Sequence, residues 1–108
     1  MVVQMRPQDV KARLDDGKPT YFLDVRQPEE HAIARIAGSE LIPLGEIPQR
    51  VGEIAPPDGA LVVCYCHHGI RSLSAAAKLE QLGIANVVSM SGGIDAWSVY
   101  IDPTVPRY

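Results

Sequence analysis

Short apolar runs alternate with amphipathic segments along this chain of 108 residues. Runs rich in β-branched and aromatic residues predict strands, and apolar positions three and four apart predict helices. The predicted strands are residues 20–26, 40–44, 60–65 and 86–90, and the predicted helices are residues 7–14, 28–36, 45–54, 72–82 and 94–100. Strands that alternate with helices across short connections predict an α/β fold with a mostly parallel central sheet. No repeat or linker divides the chain, so residues 1–108 are predicted to form a single domain.

Two polar segments directly follow predicted strands. Asp24-Val25-Arg26 ends the first strand, and residues 66–71 follow the apolar run of residues 60–65. That continuous run is typical of a strand that is buried on both faces of a parallel sheet. Because ligands bind at the carboxyl ends of parallel strands, the two polar segments form the candidate site.

The segment from Cys66 to Arg71 has the residue types that a reactive cysteine requires. A thiolate is the reactive form of cysteine, and a helix N-terminus or nearby cations stabilise it. The segment runs into the predicted helix at Ser72, which is expected to cap that helix. If the segment curls around the sulfur, its backbone amides form an anion-binding nest, and Gly69 permits the positive φ that the curl requires. The two histidines and the arginine of the segment add potential cations at its mouth.

Composition and charge restrict the class of protein further. The chain is 46% hydrophobic and 21% charged with a formal charge of −3, which is ordinary for a globular protein. No basic cluster indicates nucleic-acid binding, and no apolar stretch indicates a signal peptide or a membrane span. We therefore expect a cytoplasmic protein with neither nucleic acid nor membrane as a partner. In that reducing compartment, two cysteines are not expected to form a structural disulfide.

Three motifs together resemble the rhodanese family. The loop CHHGIRS, residues 66–72, resembles the family's active-site loop, in which a cysteine, two variable residues and a glycine precede a helix. The segment FLDVRQPEEHAIARIAGSELIPL is similar to the upstream motif, and SMSGGIDAW is similar to the closing Gly-Gly-x-x-x-Trp motif. The matches run in order from about residue 6 to the end, at family-like spacings. This resemblance implies a small single-domain sulfurtransferase of rhodanese-like fold, with helices on both faces of the sheet.

The resemblance also implies a mechanism without a separate cofactor. Cys66 would take a sulfane sulfur from a donor such as thiosulfate, hold it as a persulfide, and pass it to cyanide or a thiol. The loop amides would cradle the charged outer sulfur. The implied substrate-binding residues are His67, His68, Gly69, Ile70, Arg71 and Ser72. Small sulfur donors and acceptors are the expected partners, with a protein donor or acceptor as an alternative, and the chain is expected to be a monomer or a weak homodimer.

Supporting roles follow from the same resemblance. Asp24 would anchor the catalytic loop, and Arg26 would pair with an acid such as Glu30. Arg35 stands where the family usually has histidine, and Ser39 stands where it usually has alanine. These two departures lie beside the expected site and leave the nucleophile in place. Trp97 is expected in the core, and Gly92-Gly93 is expected to form a turn.

Several alternatives remain open at the level of sequence. Cys64, Cys66 and the two loop histidines have metal-ligand chemistry, but zinc sites usually draw ligands from two distant pairs, so no metal is predicted. In a strand Cys64 and Cys66 share a face, with Cα atoms roughly 6.5 to 7 Å apart, so Cys64 is either a core residue or a resolving thiol. The loop histidines either supply only amides or also attract anions. Arg71 either forms an ion pair or steers anions.

Two other functions compete with sulfur transfer by an enzyme. Related phosphatases and arsenate reductases of this fold use a loop one residue longer, Cys-x5-Arg, whereas this chain has Cys-x4-Arg. The shorter loop favours a terminal sulfur over a tetrahedral oxyanion. A sulfur-relay protein that carries a persulfide without thiosulfate turnover would need the same cysteine and the same loop.

Overall fold

Five strands alternate with five helices along residues 2–108, which are the residues that the computed structural model describes. The strands are β1 (Val3–Met5), β2 (Thr20–Asp24), β3 (Glu40–Leu41), β4 (Leu61–Tyr65) and β5 (Val87–Met90). The helices are α1 (Pro7–Asp15), α2 (Pro28–Ile33), α3 (Ile47–Arg50), α4 (Ile70–Gln81) and α5 (Gly93–Tyr100), with 3-10 turns at Leu44–Glu46 and Val51–Glu53. Met1 of the predicted domain lies outside the described residues. None of the helices in residues 2–108 combines the length and the apolarity that crossing a membrane requires.

The strands form one sheet in the order β1-β5-β4-β2-β3. Every pairing between neighbouring strands of the described chain is parallel, which confirms the predicted α/β class. The register sets Leu23 of β2 and Ser89 of β5 on either side of Cys64 in β4. Since β4 lies at the centre of the sheet, the residues that follow it emerge in the middle of the carboxyl edge.

Alternating side chains of the strands build two core layers, one on each face of the sheet. The first layer includes Leu23, Val62, Cys64 and Cys66 of the sheet side and Ile47, Ala75, Ala76 and Leu79 of the helix side. The second layer includes Phe22, Val63, Tyr65 and Met90 with Val10, Ile94 and Trp97 of helices α1 and α5. The expectation of helices on both faces and the core position of Trp97 are confirmed.

The hydrophobic pattern does not predict β1. This strand has only three residues, and the first two of them are exposed. Its order comes from pairing with β5, in which Val3 lies opposite Val88 and Met5 opposite Met90. A three-residue edge strand of this kind depends on a partner that is 85 residues away in the chain, so local alternation carries no signal for it.

The predicted start of the long helix is wrong by two residues. Helix α4 begins at Ile70, and Gly69 is its N-cap residue with a left-handed φ of 97°. Ser72 is therefore not a cap but a buried residue of the first turn, and its hydroxyl lies 2.7 Å from that of Ser89. Serine suits both positions, since its hydroxyl can satisfy a helix end or a neighbouring side chain.

Candidate active site

The sulfur of Cys66 is held by backbone amides. Cys66 follows β4 immediately and is 1% exposed. Its Sγ accepts hydrogen bonds from the amide of Gly69 at 3.1 Å and from the amide of Ser72 at 3.3 Å. The second amide belongs to the first turn of α4, where N–H groups have no partner within the helix. Such amides stabilise a negatively charged sulfur, so the geometry forms the nest that the spacing predicts.

The sulfur contacts one serine hydroxyl, which in turn contacts a second. The Oγ of Ser72 is 3.5 Å from the Sγ of Cys66 and 2.7 Å from the Oγ of Ser89. Sequence reasoning misses Ser89, although it is the one polar residue in the apolar run Val87–Met90. A buried serine in an otherwise apolar strand needs a partner, and that requirement is the signal that points to it.

The N-terminus of α5 holds the cysteine loop from outside. The amide of Ile94 donates to the carbonyl oxygen of Cys66 at 2.9 Å, and the amide of Asp95 donates to that of His67 at 3.1 Å. In a trans peptide the N–H points away from the C=O. Binding of these two carbonyls to α5 therefore turns the amides of His67 and His68 away from α5.

Gly93 permits this close approach. Its φ is 61°, and a Cβ at this position would lie 2.4 Å from the carbonyl oxygens of both Cys66 and His67. Gly69 is similarly restricted, since its Cβ would lie 2.9 Å from the amide nitrogen of Gly92. The Gly-Gly pair thus does more than form a turn: it lets two backbone segments pack directly against each other.

Arg71 forms an ion pair, one of the two roles that the sequence leaves open. Its guanidinium donates to the Oε1 of Glu30 at 2.6 Å and to Oε2 at 2.9 Å. This contact, with a hydrogen bond from the hydroxyl of Tyr108 at 2.6 Å, holds the pKa of Glu30 at about 2. Glu30 in turn is the largest cause of the raised pKa of Arg71, with the Cys66 sulfur a smaller one.

Arg26 pairs with an acid as expected, but that acid is not the expected Glu30, and the expected link from Asp24 to the cysteine loop is not formed. Arg26 pairs with Asp24 rather than with Glu30, through Nε to Oδ1 at 2.8 Å and Nη2 to Oδ2 at 2.6 Å. Both residues are fully buried. Among residues 2–108, Asp24 contacts only Arg26 and His31 through its carboxylate and makes no hydrogen bond to the cysteine loop. A buried guanidinium needs the nearest carboxylate, and Asp24 is only two residues away.

His67 and His68 stack on each other rather than standing free at the mouth. Their ring centroids are 3.9 Å apart, and the ring of Tyr108 stacks on His67 at the same distance. Burial and the neighbouring His68 keep the pKa of His67 below its ordinary value. This shift disfavours the charged form of His67, which makes the ring a poorer source of the cation that its residue type suggests.

Cys64 has the environment of a core thiol. It is fully buried in the first core layer, and burial raises its pKa to about 12. Both cysteines are free. Within residues 2–108, no group of three or more His, Cys, Asp or Glu side chains is arranged to hold a metal ion.

Ile70 and Arg35 stand apart from the sulfur. Ile70 is 76% exposed and supplies backbone to the first turn of α4. Arg35 is exposed and lines a surface cavity with Phe22 and Trp97 of the second core layer. The sulfur of Cys66 lies in the first layer, on the other face of the sheet. The structure thus does not bring Arg35 into the set of residues that contact Cys66.

Fold and site define an α/β domain in which the central strand is followed directly by a cysteine whose sulfur accepts hydrogen bonds from backbone amides. The model of the rhodanese-like domain matches residues 6–99 of this chain. A rhodanese-like domain protein from Staphylococcus aureus superposes with a TM-score of 0.82 at 28% identity, covering 99% of both chains. The chain belongs to the rhodanese-like family.

The names of several relatives of this chain describe the transfer or the carriage of sulfur. A protein named sulfurtransferase from Allochromatium vinosum is 36% identical over 105 residues, which cover 97% of this chain and 96% of that protein. The probable adenylyltransferase/sulfurtransferase MoeZ of Mycobacterium tuberculosis is 34% identical over 94% of this chain, which spans about a quarter (26%) of its length. The putative sulfur carrier protein YrkF of Bacillus subtilis is 34% identical over 82% of this chain and 46% of its own length. The family of this chain is therefore one of sulfurtransferases and sulfur carriers.

Gly93→Ala is expected to destabilise the protein far more than Gly59→Ala. Both glycines have positive φ, but a Cβ at Gly59 would meet nothing within 4 Å. The positive φ costs about 1 to 2 kcal/mol in each variant, and the clash with the loop carbonyls adds about 1 to 3 kcal/mol at Gly93 alone. Urea unfolding measures both free energies. Equal losses in the two variants would contradict the close packing of α5 on the cysteine loop.

The Glu30 contacts predict an acid-dependent loss of stability. A carboxylate whose folded pKa is about 2 and whose ordinary value is 4.5 contributes stability above pH 4.5, and this contribution is lost as the pH falls through about 2. Free energies of unfolding measured between pH 7 and pH 2.5 should therefore fall less steeply in Glu30→Gln than in the wild type. Glu29→Gln, at an exposed residue of the same helix, is the control and should keep the wild-type slope. Identical slopes for Glu30→Gln and the wild type would contradict the Arg71–Glu30 pair.

Proposed function

We propose that this chain is a thiosulfate sulfurtransferase that carries sulfane sulfur as a persulfide on Cys66. The observation that carries the proposal is the pair of amide hydrogen bonds from Gly69 and Ser72 to the Cys66 Sγ. Fixed N–H dipoles of this kind stabilise negative charge on sulfur without reorganisation during the reaction. The loop residues 67–72 then act through their backbone, and the reaction needs no cofactor beyond the cysteine itself.

The reaction has two displacement steps. In the first, the Cys66 thiolate attacks the outer sulfur of thiosulfate, the S–S bond of thiosulfate breaks, and sulfite leaves with the electron pair. In the second, the carbon of cyanide or the sulfur of a thiol attacks the outer sulfur of the persulfide. The Cys66 thiolate leaves and is restored, so no outside oxidant or reductant is needed.

The ion pair of Arg71 with Glu30 favours a sulfur atom over a phosphoryl group as the group that Cys66 transfers. A phosphoryl-transfer loop needs its arginine free to bind the oxyanion. Here both guanidinium contacts of Arg71 go to the carboxylate of Glu30. The nest around Cys66 is left with backbone donors, which suit a single terminal sulfur better than a tetrahedral group.

A sulfur relay is the second candidate function. Cys66 is almost fully buried, which restricts access of large acceptors, yet a relative of this chain is named a putative sulfur carrier. In a relay, a protein persulfide would load Cys66 and another protein would accept the sulfur. The two free cysteines support action in a reducing, cytoplasmic compartment for either function.

Thiosulfate is expected to add one sulfur atom to the protein. Intact mass measured after incubation with thiosulfate should show this gain in the wild type and in Cys64→Ala, because the Cys64 thiol stays protonated in the core. Cyanide should remove the added sulfur, and Cys66→Ala should not acquire it. Loading that persists in Cys66→Ala would contradict the assignment of Cys66.

Steady-state rates separate the candidate functions. Turnover of thiosulfate and cyanide at a rate comparable to transfer from a protein persulfide supports the enzyme. Loading without turnover supports the relay. Hydrolysis of a phosphate ester that Cys66→Ser abolishes, with no reaction on thiosulfate, would overturn both.

A further inference from the structure

Tyr108 reaches the cysteine loop from the far end of the chain. Its ring stacks on the His67 ring with centroids 3.9 Å apart and an interplanar angle of 9°. Its hydroxyl accepts a hydrogen bond from the Nη1 of Arg26 at 2.7 Å and donates one to the Oε2 of Glu30 at 2.6 Å. Neither the sequence motifs nor the proposed chemistry assigns a role to this residue.

The hydroxyl of Tyr108 joins two ion pairs. On one side is the fully buried Arg26, which is paired with Asp24. On the other side is Glu30, which is paired with Arg71 of the cysteine loop. The pKa of Tyr108 is raised to about 12 by burial and by Glu30, while that of Glu30 is about 2. The bridge between a neutral hydroxyl and charged partners therefore persists across the neutral pH range.

Further contacts hold the segment 102–108 against α5. The hydroxyl of Ser98 donates to the carbonyl oxygen of Val105 at 2.6 Å, and the Val105 side chain is buried in the second core layer. The guanidinium of Arg107 binds the carboxylate of Asp95 at 2.9 and 3.2 Å. Helix α5 also binds the carbonyls of the cysteine loop, so the segment and the loop share one support.

From these contacts we infer that Tyr108 is a specificity-determining residue, which covers the side of the cysteine loop at His67 and admits small acceptors to Cys66 in preference to large ones. The inference rests on the proposed sulfur transfer. Cys66 is 1% exposed, and its neighbour His67 lies between the rings of His68 and Tyr108. We therefore expect a large acceptor to need the opening of this stack, whereas a reagent of a few atoms would need a smaller opening.

The energy of the Tyr108 contacts sets the size of the effect. Both hydrogen bonds of the Tyr108 hydroxyl join it to charged groups, and such bonds are stronger than those between neutral groups, so the open state is a minor one while both are formed. A reagent that needs the open state reacts in proportion to its population. Removal of the whole Tyr108 side chain should therefore raise the rate at which large reagents react with Cys66 by about tenfold or more.

Alkylation of Cys66 tests the inference without requiring sulfur transfer. Rates for iodoacetamide and for the bulky N-(1-pyrenyl)maleimide are measured by intact mass, with peptide mapping to assign the site. In Tyr108→Ala the maleimide rate should rise about tenfold, and the iodoacetamide rate should change by less than about twofold. Tyr108→Phe keeps the ring stack but loses the hydroxyl bridge, so a rise of about threefold for the maleimide is expected. Tyr100→Ala, at a tyrosine that is 65% exposed on α5, is the matched control and should behave as the wild type.

Transfer rates from the loaded protein complete the test. In Tyr108→Ala the kcat/KM for glutathione should rise about tenfold relative to that for cyanide. The inference would be overturned if Tyr108→Ala left the ratio of the rates for large and small reagents unchanged, which includes an equal rise in both rates. If circular dichroism shows that Tyr108→Ala is not folded, the same ratio of rates measured in Tyr108→Phe decides the question. If the wild type takes up no sulfur but the alkylation ratio shifts, the proposed function fails while the covering role of Tyr108 stands.

Discussion

The site depends on the contact between the N-terminus of α5 and the carbonyls of Cys66 and His67. This contact fixes the direction of the loop peptides and leaves amide donors for the sulfur side. It is available only because Gly93 has no side chain where the two backbones meet. Close backbone packing thus performs the task that charged side chains perform in many nucleophile sites, and it does so without a group that must be desolvated.

Paired charges that neutralise one another also organise the site. Asp24 with Arg26 and Glu30 with Arg71 form two pairs, and the Tyr108 hydroxyl bridges them. Arg71 is thereby paired with Glu30, and the lowered pKa of His67 disfavours a positive charge on its ring. The hydrogen-bond partners of the sulfur are two backbone amides and one hydroxyl, although the loop is rich in basic residue types.

The sequence pattern predicts the parts of this arrangement that are local. The continuous apolar run of β4, the spacing from Cys66 to Arg71 and the periodic helix after it predict the fold class and the nest. The contacts that the pattern does not predict join residues far apart in the chain: β1 with β5, Arg71 with Glu30, and Tyr108 with His67. Several acids could pair with each arginine, and only the fold decides between them. The dual use of serine explains the wrong helix start at Ser72.

The amide proton resonances of Gly69 and Ser72 report directly whether these backbone amides hold the charged sulfur of Cys66. Spectra of 15N-labelled protein are recorded before and after loading with thiosulfate. Both resonances should move downfield on loading, more than those of residues outside the loop, and they should stay in place in Cys66→Ala. Loading confirmed by mass with both resonances unmoved would contradict this role of the amides.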